Sequence, residues 1–270
     1  MMAANSVSTK KPNFEGKDIL IAEDTEINKE IVKVFLQPTK ADLTFTSDGI
    51  EVFDAFKSDP EKYDLILMDV QMPRMDGLEA TRKIRALDTV KAKTVPILAL
   101  TVNVSPKDIA ECIKAGMNGH IGKPVEINTL FEVIKKYMPE SAESAKAESV
   151  AETKENAYSK YMPYIDVKEG IARLMNDKNI YFRLLKSFEG VKFANDLINS
   201  IKSGDYKTAS IVAHTIKGIS ANLSLHELWE LSKEVEAQAK ANNVPAGFID
   251  EIKDVIDKTM QMIAELTSQK

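Results

Sequence analysis

Cysteine is almost missing from this chain: Cys112 is the only one in 270 residues. A single thiol closes no internal disulfide, so the fold has to rest on its hydrophobic core. Long apolar runs are missing too. Stretches such as 19–22 and 65–68 fall far short of the roughly 20 residues a membrane-crossing helix needs. Nor is there an excess of basic charge: Lys and Arg number 36 against 41 Asp and Glu, a net charge of −5 that offers no footprint for nucleic acid. The first eleven residues contain no apolar stretch of the kind a secretory signal requires, so a cytoplasmic location is expected. Histidine is also scarce, and His120, His214 and His226 can each be weighed separately.

What is present divides into two patterns. Over 17–138, short apolar runs at 18–22, 41–46, 63–68, 95–100 and 120–122 alternate with amphipathic stretches. This predicts five strands and five helices, an α/β flavodoxin-like (βα)5 domain with a doubly wound parallel sheet. Residues 139–156 have no aromatic and almost no large aliphatic side chain, and are expected to be a linker between the domains. The segment 1–16 is read as an N-terminal tail. Past the linker the strand signals stop. Helices are expected near 167–175, 178–202, 206–222, 225–241 and 246–267, with Asp166/Glu169 and Ser224/Glu227 spaced as capping boxes. Four of them are long enough for a four-helix-bundle domain over 157–270.

In a sheet of this topology, ligands sit beyond the carboxyl ends of the strands, at the switch point. Glu23 and Asp24 follow the first strand and Asp69 the third, so three carboxylates should converge. Such a cluster calls for a hard cation, and oxygen-only ligation suits Mg2+. Thr101 closes the fourth strand and Lys123 follows the fifth, adding a hydroxyl and an ammonium group. Together these groups suit a phosphoryl group. The segments AED (22–24), LILMDVQMPRMDG (65–77), ALT (99–101) and GKP (122–124) resemble the response-regulator receiver family. That resemblance implies that Asp69 accepts phosphate, that Asp24, Asp69 and the Gln71 carbonyl ligate magnesium with Glu23 helping through water, and that Thr101 and Lys123 hold the phosphoryl oxygens. A cis peptide is expected at Pro124, while Pro73 and Gly77 read as loop punctuation. The family usually carries Tyr or Phe where this chain has His120, which is expected to be a partly exposed ring at a strand start.

His214 lies in the middle of a helical stretch. At about 100° per residue, Val212, Ile216, Ile219 and Leu223 form one stripe and His214 falls roughly 190° from its mean, so it is expected to face solvent. Gly218, one turn on, would clear space for a partner's phosphate, and Lys217 would steady added charge. The segment AHTIKGISANLS (213–224) resembles the histidine-containing phosphotransfer (HPt) domain. By that resemblance His214 carries phosphate, Lys217 and Gly218 keep their family roles, and Asn222 supports the helix. His226 and Trp229 read as packing residues.

No glycine-rich ATP site is present, so phosphate has to come from outside. The expected function is a phosphorelay: an upstream histidine kinase, then Asp69, then His214, then a downstream receiver domain. The receiver would catalyse its own magnesium-dependent phosphorylation and dephosphorylation. The same arrangement occurs at the C-terminal end of hybrid sensor histidine kinases, and the sequence permits either a standalone protein or such a portion. A haloacid-dehalogenase-like phosphatase would want a second Asp where Gln71 stands. A scaffold with a degenerate pocket would lack Asp69, Lys123 or His214, and all three are present.

Overall fold

The computed structural model describes residues 11–102, 104–140 and 158–268. The expected linker lies almost wholly outside these residues, as does most of the expected N-terminal tail. The first half runs β1 (Asp18–Ala22), α1 (Glu26–Leu36), β2 (Asp42–Thr46), α2 (Gly49–Ser58), β3 (Leu65–Asp69), α3 (Gly77–Ala86), α4 (Val90–Thr94), β4 (Ile97–Thr101), α5 (Pro106–Ala115), β5 (Gly119–Gly122) and α6 (Ile127–Tyr137). All pairings are parallel in the order β2-β1-β3-β4-β5. The five expected strands are therefore present, with α4 as an additional single-turn helix.

Alternation along the strands assigns each face its own core. Ile19, Ile21, Leu65, Leu67, Leu98 and Leu100 pack with α1 and α6, whereas Leu20, Ala22, Ile66, Met68, Ile97 and Ala99 pack with α2, α3 and α5. Helix starts are set by local chemistry. Asp48 accepts hydrogen bonds from the Ile50 and Glu51 amides, Asp76 from Glu79, and Ser105 from Asp108 ahead of Pro106.

The second half is helical among its described residues: α7 (Val167–Arg173), α8 (Lys178–Lys186), α9 (Gly190–Lys202), α10 (Tyr206–Asn222), α11 (His226–Lys240) and α12 (Phe248–Ser268). Helix α10 packs against α9 and α11, and α12 against α8, α9 and α11. Two expectations fail here. The helix expected over 178–202 is broken, because Ser187 Oγ donates back to the Leu184 carbonyl and Gly190 restarts the chain tight against Phe188 and Met260. Ser224 does not cap α11: it adopts φ +55° with its hydroxyl buried, and its carbonyl accepts instead from the Asp166 amide. Asp166 does cap α7 through the Glu169 amide, as expected. Among the described residues no helix is long and apolar enough to cross a membrane.

The apolar cluster on the α1/α6 face does not stop at the edge of the sheet. It continues through Tyr161, Ile165, Leu184, Ile216 and Leu228 into the helical half.

Candidate active site

Parallel pairing brings the ends of β1, β3, β4 and β5 to one rim. Ala22 lies beside Met68, and Thr101 beside Gly122, so Asp24, Asp69, Thr101 and Lys123 all emerge there. Carboxylate oxygens of Glu23, Asp24 and Asp69 lie within 4.8 Å of one another. Lys123 Nζ donates to Asp69 Oδ2 at 2.6 Å and to Glu23 Oε2 at 2.7 Å, and the Gln71 amide donates to Asp69 Oδ1 at 3.1 Å. Glu23 Oε1 accepts from Thr25 Oγ1 and from Asn28 Nδ2, both at 2.9 Å. The Lys123–Pro124 peptide is cis.

The electrostatics divide the three acids. Burial works to raise Glu23, but Lys123 and the hydrogen bonds from Asn28 and Thr25 outweigh it and hold the carboxyl below its usual range. Asp24 has less help: burial, then the charges of Glu23 and Asp69, push it up to about 8 against the weaker pull of Lys123. Asp69 is pushed up to about 7, chiefly by burial, with Lys123 opposing. Packing this much negative charge together is unfavourable unless a further cation shares it, and the all-oxygen donor set fits magnesium.

Gly77 is more than loop punctuation. A Cβ placed there would stand 2.1 Å from the Asp69 carbonyl oxygen, so only glycine lets α3 begin this close to the end of β3. Gly77→Ala should cost about 1–3 kcal/mol of stability, read by urea unfolding, because either the helix or the Asp69 backbone has to move.

Around His214 the structure overturns the solvent-facing expectation: the residue is only 5% exposed. Its Nδ1 lies 3.0 Å from Glu236 Oε1. A carboxylate only accepts, so Nδ1 carries the hydrogen and Nε2 keeps its lone pair. Glu236 also pairs with Lys217 and, at 2.6 Å, with Lys240. Lys217 is itself buried. Gly218 faces the first half, where a Cβ would meet Asn28 Nδ2 and Val102 Cγ2 at 3.9 Å.

Residues 19–135 match the family model of the response regulator receiver domain. This segment is a receiver domain. The aerobic respiration control sensor protein ArcB of Escherichia coli O157:H7 is 29% identical over 223 residues, covering 82% of this chain and 28% of that protein. Probable histidine kinase 4 of Oryza sativa is 36% identical over 141 residues, covering 46% of this chain and 14% of its own. The chain thus spans under a third of these relatives. Among solved structures, the receiver domain of the sensor histidine kinase PA1611 from Pseudomonas aeruginosa, with magnesium coordinated in its active-site cleft, is 34% identical. It covers 46% of this chain and 98% of its own, at TM-score 0.42.

The receiver and the helical half are docked at this rim. Asn222, at the end of α10, accepts from the Val125 amide at 3.1 Å and donates to Asn28 Oδ1 at 2.8 Å. Arg173 reaches Glu126 at 2.5 Å and Arg183 reaches Glu30 at 2.8 Å. Helix α10 lies on receiver helix α1. His214 is buried because its helix is covered by α9, α11 and the receiver together, a cover that a helical wheel drawn on α10 alone does not contain.

Glu236, Asn28 and Thr25 were not singled out from the sequence. Glu236 could have been noticed, since it interrupts the buried stripe Leu228, Leu231, Val235 and Ala239 of α11 with a charge. His226 is no packing residue: it is exposed and its Nε2 lies 3.0 Å from Glu169 Oε2. Trp229 is half-buried under Lys233, and His120 is half-buried on β5.

Burial holds His214 below the usual imidazole value of 6.5, and Lys217 and Lys123 add to this against the pull of Glu236. The unfolded chain therefore takes up this proton first, and the residue's contribution to stability is lost as pH falls through 6.5 towards the folded value. An NMR titration of the His214 ring should show a midpoint below 6.5, and Glu236→Gln should lower it further by removing the one opposing charge.

Proposed function

We propose that this chain is a two-step phosphorelay element. Asp69 of the receiver takes a phosphoryl group from an upstream kinase histidine, and His214 of a C-terminal HPt four-helix bundle takes it on towards a further receiver aspartate. The domains would span 17–138 and 157–270. The observation that carries the reading is the pairing of two nucleophile sites at one interface: an acidic receiver pocket, and a buried histidine whose tautomer is fixed by Glu236. The alignment with ArcB, a sensor protein, supports it by running well beyond the length of the 19–135 match.

In the first step a donor N–P bond breaks as an Asp69 Oδ–P bond forms. In the second that O–P bond breaks and a P–N bond forms at His214 Nε2, whose lone pair is free because Nδ1 keeps its proton. Glu236 offsets the positive charge that the ring gains. Glu23, Asp24, Asp69 and the Gln71 carbonyl would hold magnesium, which neutralises charge on the phosphoryl oxygens. Lys123 and Thr101 would hold those oxygens, with Lys217 and Gly218 serving the histidine side.

The test is phosphate tracing on the whole chain with acetyl phosphate and magnesium. Acyl phosphate is lost in base and phosphohistidine in acid, so the label should divide into both fractions. No acid-labile, base-stable label would sink the relay, and labelling at full rate in chelator would remove the metal.

A further inference from the structure

The docked face contains a buried group that neither the acidic pocket nor the His214 site accounts for. Asn222 is 1% exposed, and both ends of its side-chain amide are used across the interface. Its oxygen takes the Val125 N–H, two residues beyond Lys123, and its nitrogen donates to Asn28 Oδ1. Asn28 cannot turn round to suit another partner, because its own Nδ2 is committed to Glu23 Oε1 at 2.9 Å. Glu23 in turn holds Lys123, which holds Asp69. A continuous chain of hydrogen bonds therefore runs from the end of the His214 helix to the carboxylate of Asp69.

We propose that Asn222 is a positioning residue that sets the register of the His214 helix on this chain's own receiver, so that exchange between Asp69 and His214 runs within one molecule. This deepens the relay reading and rests on it. The Asn side chain accepts from a backbone N–H and donates to a carbonyl oxygen through two different atoms of one planar group. Hydrophobic packing is non-directional and tolerates sliding, whereas two opposed hydrogen bonds from one planar group fix a single offset. Asn222 lies eight residues, about two turns, beyond His214 on the same rigid helix, so an offset fixed at its end is fixed at the imidazole. The continuous apolar cluster gives the two halves attraction, and the amide gives them alignment. The ion pairs Arg183–Glu30 and Arg173–Glu126 lie at the rim, each with a partner group well exposed, and contribute little to register.

Two substitutions separate the bonds. Asn222→Asp keeps the acceptor for Val125 but turns an acceptor against Asn28 Oδ1, and Asn222→Ala removes both partners while favouring helix. The whole chain is loaded with labelled acetyl phosphate and magnesium, and passage of label from the base-labile to the acid-labile fraction is timed. Expected is a transfer rate independent of protein concentration, slowed about tenfold to a hundredfold in either variant relative to loading of Asp69. Equal transfer rates in all three chains would overturn the role of Asn222. A rate rising linearly with concentration would overturn transfer within one molecule. Failure of His214 to take label in the unmodified chain is a separate outcome, and it defeats the relay reading itself. Should a variant lose its helical signal, amide hydrogen exchange in the unmodified chain decides: protection at Val125 supports the bridge, and exchange at the unprotected rate overturns it.

Discussion

Replacing Asp69 with Asn should abolish labelling by acetyl phosphate and empty both chemical fractions at once, because phosphate on His214 would have to pass through Asp69. The substitution is nearly isosteric. Asp69 accepts from Lys123 Nζ on one oxygen and from the Gln71 amide on the other, so the single amide oxygen of Asn keeps one of these bonds while its NH2 faces the other donor, a local loss that the outline of the loop should survive. What is lost is the nucleophile, together with one of three mutually repelling negative charges. Thermal melting should therefore stay close to that of the unmodified chain while incorporation drops to background. Acyl label persisting at the normal rate would show that another carboxylate is the acceptor, with Asp24 the first to examine.

His214→Gln should have the opposite selectivity. Glutamine can still donate to Glu236 and fills much of the same buried space, but it has no nitrogen with a free lone pair to attack phosphorus. The acid-labile fraction should vanish and the base-labile fraction remain. Since the outlet that the proposed relay gives to phosphate on Asp69 is then closed, steady-state phosphoaspartate should rise. Quantifying both fractions in one experiment checks the two statements together. An acid-labile fraction that survives would point to His226, the exposed histidine beside Glu169.

The acidic pocket was legible in the sequence because each member sits at, or just after, the end of an apolar run. Parallel pairing then leaves them only one rim to occupy: Asp69 ends β3, Thr101 ends β4 and Lys123 follows β5. The surroundings of His214 were not legible. A helical wheel drawn on α10 ranks faces by their apolar content, and the polar face that looked solvent-bound is covered by an interface whose partners lie far off in the chain. Asn222 and Asn28 are 194 residues apart, and nothing local to either announces the other. Glu236, 22 residues from His214, is an intermediate case, visible as a charge on an apolar stripe but with no sequence rule to name its partner. The break between α8 and α9 is not legible because Ser187 and Gly190 are each tolerated in helices, and the crowding that leaves Gly190 no room for a side chain comes in part from Met260, far along the chain. Gly77 was undervalued for a similar reason, since the backbone it approaches becomes its neighbour only when α3 folds back on β3.

Asp69 is only 2% exposed, and the helical half is seated on the same rim through Asn222 and Gly218. A second macromolecule approaching that carboxylate has to share the rim with the helical half, whereas a small phosphodonor needs far less clearance. In the proposed relay, opening would then be a first-order event placed ahead of exchange with an outside protein. As a partner's concentration rises, the rate of loading from it should level off at the frequency of opening rather than climb towards the diffusion limit. The stability of one internal contact surface would then set the fastest rate at which phosphate can enter from another protein.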